Sequence, residues 1–274
     1  MATKFMVGDL EVVGVSDGSV AFKGTQYFGG TTDEQWQEHK RWLNHDGDVV
    51  FEYGCFVVRS GDKRVLIDTG VGPVEIGVFK GGALMGDLAS GGIKAEDIDE
   101  VFITHLHLDH CGSAALKNGG GEMRPAFPRA TYRWTSDEHE WWHSDKGMTR
   151  PMRRTDVLET IAGLYEPADD GATLAPGITV MAMPGHTPGH AGIVLSSGTE
   201  RAFIMGDAIS CPVQLEETEW SGLGDVDAEL ARRTQEAVAR EAEGTGALLG
   251  ASHFPGLMFG RVLRAEGRRY WEAR

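Results

Sequence analysis

Residues 101–110 constrain this chain more than any other segment, because the apolar run Val-Phe-Ile leads directly into the cluster Thr-His-Leu-His-Leu-Asp-His. Imidazole nitrogens and carboxylate oxygens suit zinc and its first-row neighbours. In an extended segment His105 and His107 point to the same side. Asp109 and His110 follow where the strand gives way to a loop, so they can turn toward a second point. The cluster therefore predicts metal binding, with one pair of ligands for each of two ions. The alternative is a surface loop that happens to be rich in histidine.

The composition limits the size of the core and the kind of partner. With 274 residues, 41% of them apolar, the chain can bury a sizeable core as one large domain or two small ones. Its formal net charge of −15 argues against nucleic acid or an anionic membrane as partner, because both call for a concentrated basic surface. No apolar run approaches the ~20 residues that cross a bilayer. We therefore expect a small-molecule partner.

The cysteines and the N-terminal segment bear on the compartment. Cys55, Cys111 and Cys211 are odd in number and widely spaced, which disfavours a disulfide framework. Residues 1–5 lack the long apolar core of a secretory signal. We expect a cytoplasmic protein whose cysteines are small buried side chains, with metal binding by Cys111 or Cys211 as the less favoured alternative.

Apolar periodicity and turn residues predict an alternation of strands and helices. Strands are predicted over residues 5–15, 50–59, 63–68, 101–104, 130–135, 178–183, 191–196, 202–205 and 247–252, and helices over 33–43, from 136, over 153–164 and over 227–243. Residues 70–93 are rich in glycine and predict a mobile loop or a short irregular helix. Two strand-rich halves, each closed by helices, favour two mixed sheets that face each other. Periodicity alone supports only a mixed α/β or α+β class.

Further candidate ligands follow short apolar strands at three later places. Residues 180–183 lead into Pro-Gly-His-Thr-Pro-Gly-His, which contains His186 and His190. Residues 203–205 lead into Gly-Asp207, and residues 248–249 precede His253. Side chains on loops at strand ends are where reaction sites are usually built.

The motifs HxHxDH at 105–110, GHTPGH at 185–190, GDA at 206–208 and SH at 252–253 resemble those of the metallo-β-lactamase-fold hydrolase superfamily. The resemblance covers nearly the whole chain. It implies an α+β fold, an αββα sandwich of two mixed β-sheets flanked by helices, as a single domain over residues 1–274. It also implies that the protein is an enzyme, a metal-dependent hydrolase.

The resemblance assigns the candidate residues to roles. One metal ion would be held by His105, His107 and His186, and the other by Asp109, His110 and His253, with Asp207 as the bridge. Asp68, in Leu-Ile-Asp-Thr-Gly, and His190 would support these ligands from outside the coordination sphere; a purely structural turn role for Asp68 is the alternative.

The implied cofactors are two divalent ions, with zinc as the default and iron, manganese or cobalt as alternatives. The implied reaction is attack of a metal-bridging hydroxide on a carbonyl, with Asp109 and Asp207 as the catalytic carboxylates.

Within the superfamily, the pattern is most similar to N-acyl homoserine lactonases and to relatives that include organophosphate hydrolases. A small, moderately apolar ester is therefore expected as substrate, with a lactone preferred. Phosphotriesters, thioesters of the glyoxalase II kind and β-lactams remain alternatives on the same site. An alternative of another class is a non-hydrolytic metal-containing protein that binds a ligand.

The chain departs from several lactonases in having Ile209, Ser210 and Cys211 where they carry a tyrosine after the bridging aspartate. An assisting hydroxyl must then come from Ser210 or from an N-terminal residue such as Tyr27 or Tyr53. The candidate substrate contacts are Tyr27, Phe28, Trp142, Ser210 and Phe254. A homodimer is left open as the assembly.

Overall fold

The computed structural model of the protein describes residues 3–274, so that the first two residues of the N-terminal segment considered above lie outside it. The strands of the first part of the chain are β1 (Thr3–Val7), β2 (Leu10–Lys23), β3 (Asp48–Ser60), β4 (Lys63–Ile67), β5 (Glu75–Ile76), β6 (Phe79–Lys80), β7 (Glu100–Phe102), β8 (Ala115–Lys117), β9 (Met123–Pro125), β10 (Thr131–Trp134) and β11 (Tyr165–Pro167). Those of the second part are β12 (Thr173–Ala175), β13 (Ile178–Ala182), β14 (Ala191–Ser197), β15 (Glu200–Ile204), β16 (Leu248–Gly250), β17 (Gly260–Ala265) and β18 (Arg268–Ala273).

The helices are mostly short and lie between these strands. They are α1 (Gly24–Tyr27), α2 (Asp33–Glu38), α3 (Leu84–Ser90), α4 (Leu108–Cys111), α5 (Ser136–His143), α6 (Asp145–Met148), α7 (Thr155–Ile161), α8 (Val213–Glu216) and α9 (Ala228–Thr245), with 3-10 turns at Lys40–Trp42, Ala95–Asp97, Ala162–Leu164 and Pro255–Leu257. No helix among residues 3–274 combines the length and the apolar character that crossing a membrane requires.

Two seven-stranded sheets form the centre of the described structure. The first has the order β1-β2-β3-β4-β7-β10-β11, and the second runs in sequence from β12 to β18. Both sheets are mixed: β4, β7, β10 and β11 pair in parallel in the first, as do β15 and β16 in the second. Two further small hairpins, β5-β6 and β8-β9, lie outside these sheets.

Alternation along the strands builds the core between the sheets. In β4, Val65 and Ile67 belong to the cluster shared by both sheets, whereas Leu66 lies in the cluster on the outer face. In β15, Ile204 faces the other sheet and Phe203 faces outward. Successive strand residues point to opposite faces, so each sheet has two apolar faces to cover. Burying one such side chain contributes about 1.5–3 kcal/mol.

Helices cover the outer face of each sheet. The outer cluster of the first sheet includes Leu84 of α3, Trp142 of α5 and Ile161 of α7. The outer cluster of the second sheet includes Leu215 of α8 and Val238 of α9. The layers are therefore helix, sheet, sheet, helix, and the predicted αββα sandwich of two mixed sheets is confirmed.

Two boundary predictions near the N-terminus were wrong. The strand predicted over 5–15 is the hairpin β1-β2, which turns at Gly8 and Asp9, with Gly8 at a φ of 56°. The helix predicted over 33–43 begins as expected, with a capping box between Thr32 and Gln35, but α2 ends at Glu38. The C-cap His39 leaves helical geometry, and a 3-10 turn follows. Local turn chemistry overrode the apolar spacing in both places.

Two further predictions changed in detail. Residues 70–93, predicted as a loop or irregular helix, contain β5, β6 and the regular helix α3. The helix predicted over 227–243 is α9, with Asp227 as its N-cap, but its buried face is rotated from the expected one. Ala231, Gln235, Val238, Ala239 and Ala242 are buried, whereas Ala237, predicted on that face, is exposed. The buried face consists mainly of alanines, which pack closely against the sheet. The spacing of the larger apolar residues therefore did not predict this face.

One edge of the sandwich collects the ends of strands from both sheets. Strands β4 and β7 are parallel neighbours in the first sheet and lead into Asp68 and Thr104. Strands β15 and β16 are parallel neighbours in the second and lead into residues 205–207 and 251–253. Strand β13 runs in the same direction as β15, because both are antiparallel to β14. The loops that carry the candidate ligands therefore leave the two sheets at a common edge.

Candidate metal centre

The loop after β7 presents its side chains in alternation. Leu106 and Leu108 point into the interior, at 0% and 5% exposure. His105 and His107, which alternate with these leucines, consequently face the edge of the sandwich. His107 is the N-cap of α4, whose single turn redirects Asp109 and His110. The apolar residues thus fix the orientation of the polar ones.

Three imidazoles meet at the first of two ligand groups. The Nε2 atom of His105 lies 2.9 Å from Nδ1 of His107, and Nε2 of His186 lies 3.0 Å from that same Nδ1. Nitrogens bound to one tetrahedral zinc at 2.0–2.1 Å would lie ~3.3 Å apart. Both of these distances are thus within a few tenths of an ångström of the spacing that zinc imposes.

A second group is formed by Asp109, His110 and His253. One ligand atom from each lies within 4.8 Å of the others, and Nε2 of His253 is 3.7 Å from the Asp109 carboxylate. Asp109 is the most exposed member, at 17%, whereas the side chains of His110 and His253 are almost fully buried. The mixed nitrogen and oxygen donors suit zinc as well as iron, manganese or cobalt.

The carboxylate of Asp207 lies between the two groups. Its Oδ2 atom is 3.3 Å from Nε2 of His186, on the side of the first group. Its Oδ1 atom is 3.2 Å from Nε2 of His110 and 3.1 Å from Nε2 of His253, on the side of the second. Each oxygen therefore faces a different set of nitrogens, the arrangement that a bridging carboxylate requires.

The buried atoms at the centre fit a bound cation. His110 Nε2 and Asp207 Oδ1 are buried and 3.2 Å apart, yet neither makes a hydrogen bond of normal geometry with a described residue. Such orphaned polar atoms are rare, because burying them costs about 1–3 kcal/mol each. Burial disfavours a charge on His110, yet the carboxylates of Asp207 and Asp68 raise its pKa well above the usual value. The pKa of Asp207 is lowered well below its usual value: burial opposes this, but the neighbouring histidines outweigh burial. The same carboxylates that favour a proton on His110 would favour a bound cation in its place.

The second nitrogen of three ligand histidines is held by a hydrogen-bond partner. Nδ1 of His110 lies 2.8 Å from Asp68, Nδ1 of His186 lies 2.9 Å from Asp225, and Nδ1 of His253 lies 2.6 Å from the backbone carbonyl of Glu52. An acceptor at Nδ1 places the proton there and leaves Nε2 free as a donor to metal. All three Nε2 atoms point toward Asp207.

Asp68 is a junction of several loops. Its carboxylate accepts hydrogen bonds from the backbone N–H of Thr104 at 2.8 Å and from the hydroxyl of Ser252 at 2.9 Å, besides its contact with His110. It is fully buried and has a φ of 62°, which non-glycine residues adopt only infrequently. These contacts join the loops after β4 and β7 to the segment that carries His253.

His190 supports Asp207 through its backbone. The N–H of Asp207 donates to Nε2 of His190 at 2.9 Å, and Nδ1 of His190 donates to the carbonyl of Met183 at 3.0 Å. Both ring nitrogens are therefore occupied by backbone groups. Burial, with His186 as the next cause, lowers the pKa of His190 to about 3, so the ring is neutral.

Asp225 belongs to this site and was missed from the sequence. It lies in the loop between α8 and α9, where Val226 N–H donates to the carbonyl of His186 at 3.0 Å and Asp227 N–H to that of Gly185. No strand precedes Asp225, so the rule that located the other carboxylates did not apply. The acidic run before α9 resembled a helix start, which was the only signal.

A cavity of about 490 Å³ opens onto both ligand groups. Its walls are largely apolar, with Arg150 as the cationic exception; they include Val20, Phe22, Tyr27, Phe51, Phe79, Leu108, Trp142, Pro151, Met152 and Leu223, together with His107, Asp109, His186, Asp207 and His253. A concave, mostly apolar cavity with a few convergent polar groups is typical of a small-molecule site.

The five candidate substrate contacts divide into two sets. Tyr27 and Trp142 line the cavity. Ser210 is buried at 2% exposure; burial raises the pKa of Tyr27, and Ser210 partly offsets that rise. Phe28 packs between Trp36 and Trp220, and Phe254 packs against Trp271, both fully buried and apart from the residues that line the cavity. These two phenylalanines lie in hydrophobic packing and are not among the residues that line this cavity.

Comparison with known proteins identifies the family. The model of the Metallo-beta-lactamase superfamily matches residues 54–253, which include every candidate ligand. An N-acyl homoserine lactonase of a Bacillus species is 25% identical over 209 residues, covering 68% of this chain and 76% of the relative.

Solved structures show the same fold. The dizinc quorum-quenching lactonase AidC has a TM-score of 0.87 at 22% identity, covering 100% of this chain and 97% of its own. The hydrolase AbOPH has a TM-score of 0.84 at 23% identity, covering 98% and 96%. Fold and site define a metal-dependent hydrolase, the predicted class of protein. The chain belongs to the metallo-β-lactamase superfamily, as its motifs indicated.

Proposed function

We propose that the protein is a hydrolase with two divalent metal ions that opens a small, moderately apolar lactone. The observation that carries the proposal is the pair of ligand groups that share Asp207 and open onto one apolar cavity. In this proposal His105, His107 and His186 hold one ion and Asp109, His110 and His253 hold the other. Zinc is the proposed metal, because its preferred donors and spacing match the first group.

When bound, two such ions supply Lewis-acid polarisation of the carbonyl and lower the pKa of water, so that hydroxide is available at neutral pH. The protein's own residues then hold and orient. Asp207 fixes the separation of the two groups, since each of its oxygens faces one of them. We propose Asp207 also as the carboxylate that carries a proton toward the leaving oxygen.

The cavity wall supports an apolar ester as substrate. Its apolar lining includes Phe22, Phe51, Phe79, Met152 and Leu223. Moving an apolar arm of a substrate from water onto such a wall favours binding by about 25 cal/mol per Å² of buried apolar area. The lactonases among the related proteins agree with this choice.

Tyr27 is the hydroxyl that we propose to assist the reaction. It lines the cavity at 8% exposure. Burial and the carboxylate of Asp207 raise its pKa well above the usual 10, so it stays protonated and can donate a hydrogen bond. Ser210 partly offsets this rise in pKa, so it lies near the Tyr27 side chain. In this proposal Tyr27 takes the role of the tyrosine that several lactonases carry after the bridging aspartate.

A substrate panel tests the proposal. Metal-loaded protein is assayed with an N-acyl homoserine lactone, an alkyl γ-lactone, an aryl phosphotriester, a thioester and a cephalosporin. The proposal expects kcat/KM for at least one lactone to exceed that for every other substrate by tenfold or more. Preferred turnover of the phosphotriester, thioester or β-lactam would contradict the lactone assignment. A metal-replete protein inert to all five, yet able to bind one of them, would contradict hydrolysis itself.

A further inference from the structure

A buried glutamate outside the ligand set connects the two loops that form the first ligand group. Glu138 lies in the first turn of α5 and is fully buried. Its Oε1 atom accepts the backbone N–H of Leu106 at 2.8 Å, and its Oε2 atom accepts the hydroxyl of Thr187 at 2.6 Å. Leu106 lies between His105 and His107, and Thr187 directly follows His186. One carboxylate therefore holds the neighbours of all three imidazoles.

The same carboxylate also reaches the cavity wall. Oε1 of Glu138 accepts the indole N–H of Trp142 at 2.7 Å. The Trp142 ring lines the cavity and lies edge-on to His107, with centroids 5.7 Å apart. The position of a ligand histidine and that of the substrate surface are thus set by one group.

The backbone around Glu138 is fitted to the loop that carries His186. A Cβ atom on Gly189 would lie 2.0 Å from the backbone nitrogen of Glu138, so only glycine allows this approach. The hydroxyl of Thr135, the N-cap of α5, donates to the Gly189 carbonyl at 2.6 Å. The start of the helix and the loop are therefore locked together independently of the carboxylate.

We propose that Glu138 is a positioning residue for the ion held by His105, His107 and His186, and leaves the ion held by Asp109, His110 and His253 unaffected. The inference rests on the proposed two-metal function. Its physical basis is that three buried donors converge on this carboxylate, and removing it leaves each of them unpaired. Partners of this kind typically change metal affinity 10–100-fold when they are removed.

Zinc titration of chelator-stripped protein tests the inference, with metal affinity rather than turnover as the readout. Glu138→Ala is expected to weaken one of the two binding steps tenfold or more and to leave the other within threefold. Glu138→Gln is expected to keep both steps, because its amide oxygen still accepts from Leu106 and Trp142 while its N–H₂ donates to the Thr187 oxygen. Equal weakening of both steps, or of neither, would overturn the inference.

A background variant identifies which ion is affected. In His186→Ala, which removes a ligand of the first ion, adding Glu138→Ala is expected to cause no further change in the remaining step. A further loss of tenfold would show that Glu138 acts on the second ion and would overturn the inference.

Thr187→Val provides a second test of the inference if Glu138→Ala does not fold. It removes only the hydroxyl that bonds Oε2 and should weaken the same single step at least threefold. Thr160→Val is the matched control, because the Thr160 hydroxyl bonds only the carbonyl of Asp156 on an exposed helix face. Unchanged zinc binding in Thr187→Val would overturn the inference. Two-zinc binding without turnover of any ester would instead contradict the proposed function alone.

Discussion

The carboxylate of Asp68 lies 2.8 Å from Nδ1 of His110, and this contact directs Nε2 of the same ring toward Asp207. Asp68 directly follows β4, and His110 lies in α4 after β7; β4 and β7 are adjacent parallel strands of the first sheet. Ser252, next to His253, donates to the same carboxylate. One buried aspartate thus links both sheets to the second ligand group.

Asp68→Asn is expected to weaken binding of one metal ion about 10–100-fold. Asparagine tolerates the positive φ at this position, and its oxygen still accepts from Thr104. Its N–H₂ group would face Nδ1 of His110 and move the proton of that ring to Nε2, which cannot then donate to metal. Zinc titration of the stripped protein measures the change. Asp62→Asn, in the exposed turn before β4, is the control, and equal affinities in the two variants would refute the role of Asp68.

Asp225→Ala is expected to weaken the other ion by a similar factor. It removes the partner of Nδ1 in His186, so that the imidazole loses both its fixed proton and its orientation. Glu219→Ala, an exposed carboxylate of the same loop region, provides the control. A double variant with Asp68→Asn should show additive losses, since the two carboxylates act on different ligand groups. Loss of the same single ion in both variants would contradict two separate groups.

Tyr27→Phe removes only a hydroxyl at the cavity wall. If that hydroxyl polarises the ester carbonyl, kcat should fall about 10–100-fold with metal content unchanged. Steady-state kinetics on the preferred lactone, together with zinc analysis of the same sample, make the comparison. Tyr270→Phe, on β18 away from the cavity, should retain normal kinetics. Full activity of Tyr27→Phe would show that the metal ions act without a tyrosine.

The pair formed by Glu236 and Arg269 predicts a pH-dependent contribution to stability away from the site. The hydrogen bond from Arg269 lowers the pKa of Glu236 from 4.5 to about 2. A lowered carboxyl pKa stabilises the fold above pH 4.5, and this stabilisation is lost as the pH falls toward about 2. Because the pair is partly exposed, Glu236→Gln should cost no more than about 1 kcal/mol at neutral pH.

Urea unfolding from pH 7 downward measures this difference. The gap between the wild type and Glu236→Gln is expected to shrink steadily below pH 4.5. Glu272→Gln, an exposed residue of β18, should leave the free energy of unfolding unchanged at every pH. A difference in the free energy of unfolding that grows on acidification would contradict a stabilisation of the fold by ionised Glu236.

The sequence predicted the fold and the ligand candidates well for a common reason. Each candidate ligand follows a short apolar strand, as Asp207 follows β15, and strand ends gather at one edge of a sandwich. The structure brings all seven candidate metal ligands together at that edge. The single domain over residues 1–274 stays a prediction.

The sequence could not supply the residues that act from outside the ligand set. Asp225 lies in a loop, and Glu138 looked like part of a helix start; only the chain path brings them to His186 and Leu106. Aromatic residues were equally ambiguous. Phe28 and Phe254 have the same apolar character as Trp142 and are buried to the same extent, so only the position of each ring relative to the cavity separates packing from cavity wall.

The central claim, two metal ions acting together on an ester, is tested most directly by following lactone turnover while zinc is added to stripped protein. The account predicts that activity rises until two equivalents are bound per chain and then stays constant, and that His107→Ala and Asp109→Ala abolish it. Activity that saturates at one equivalent, or that persists without metal, would contradict the two-metal centre.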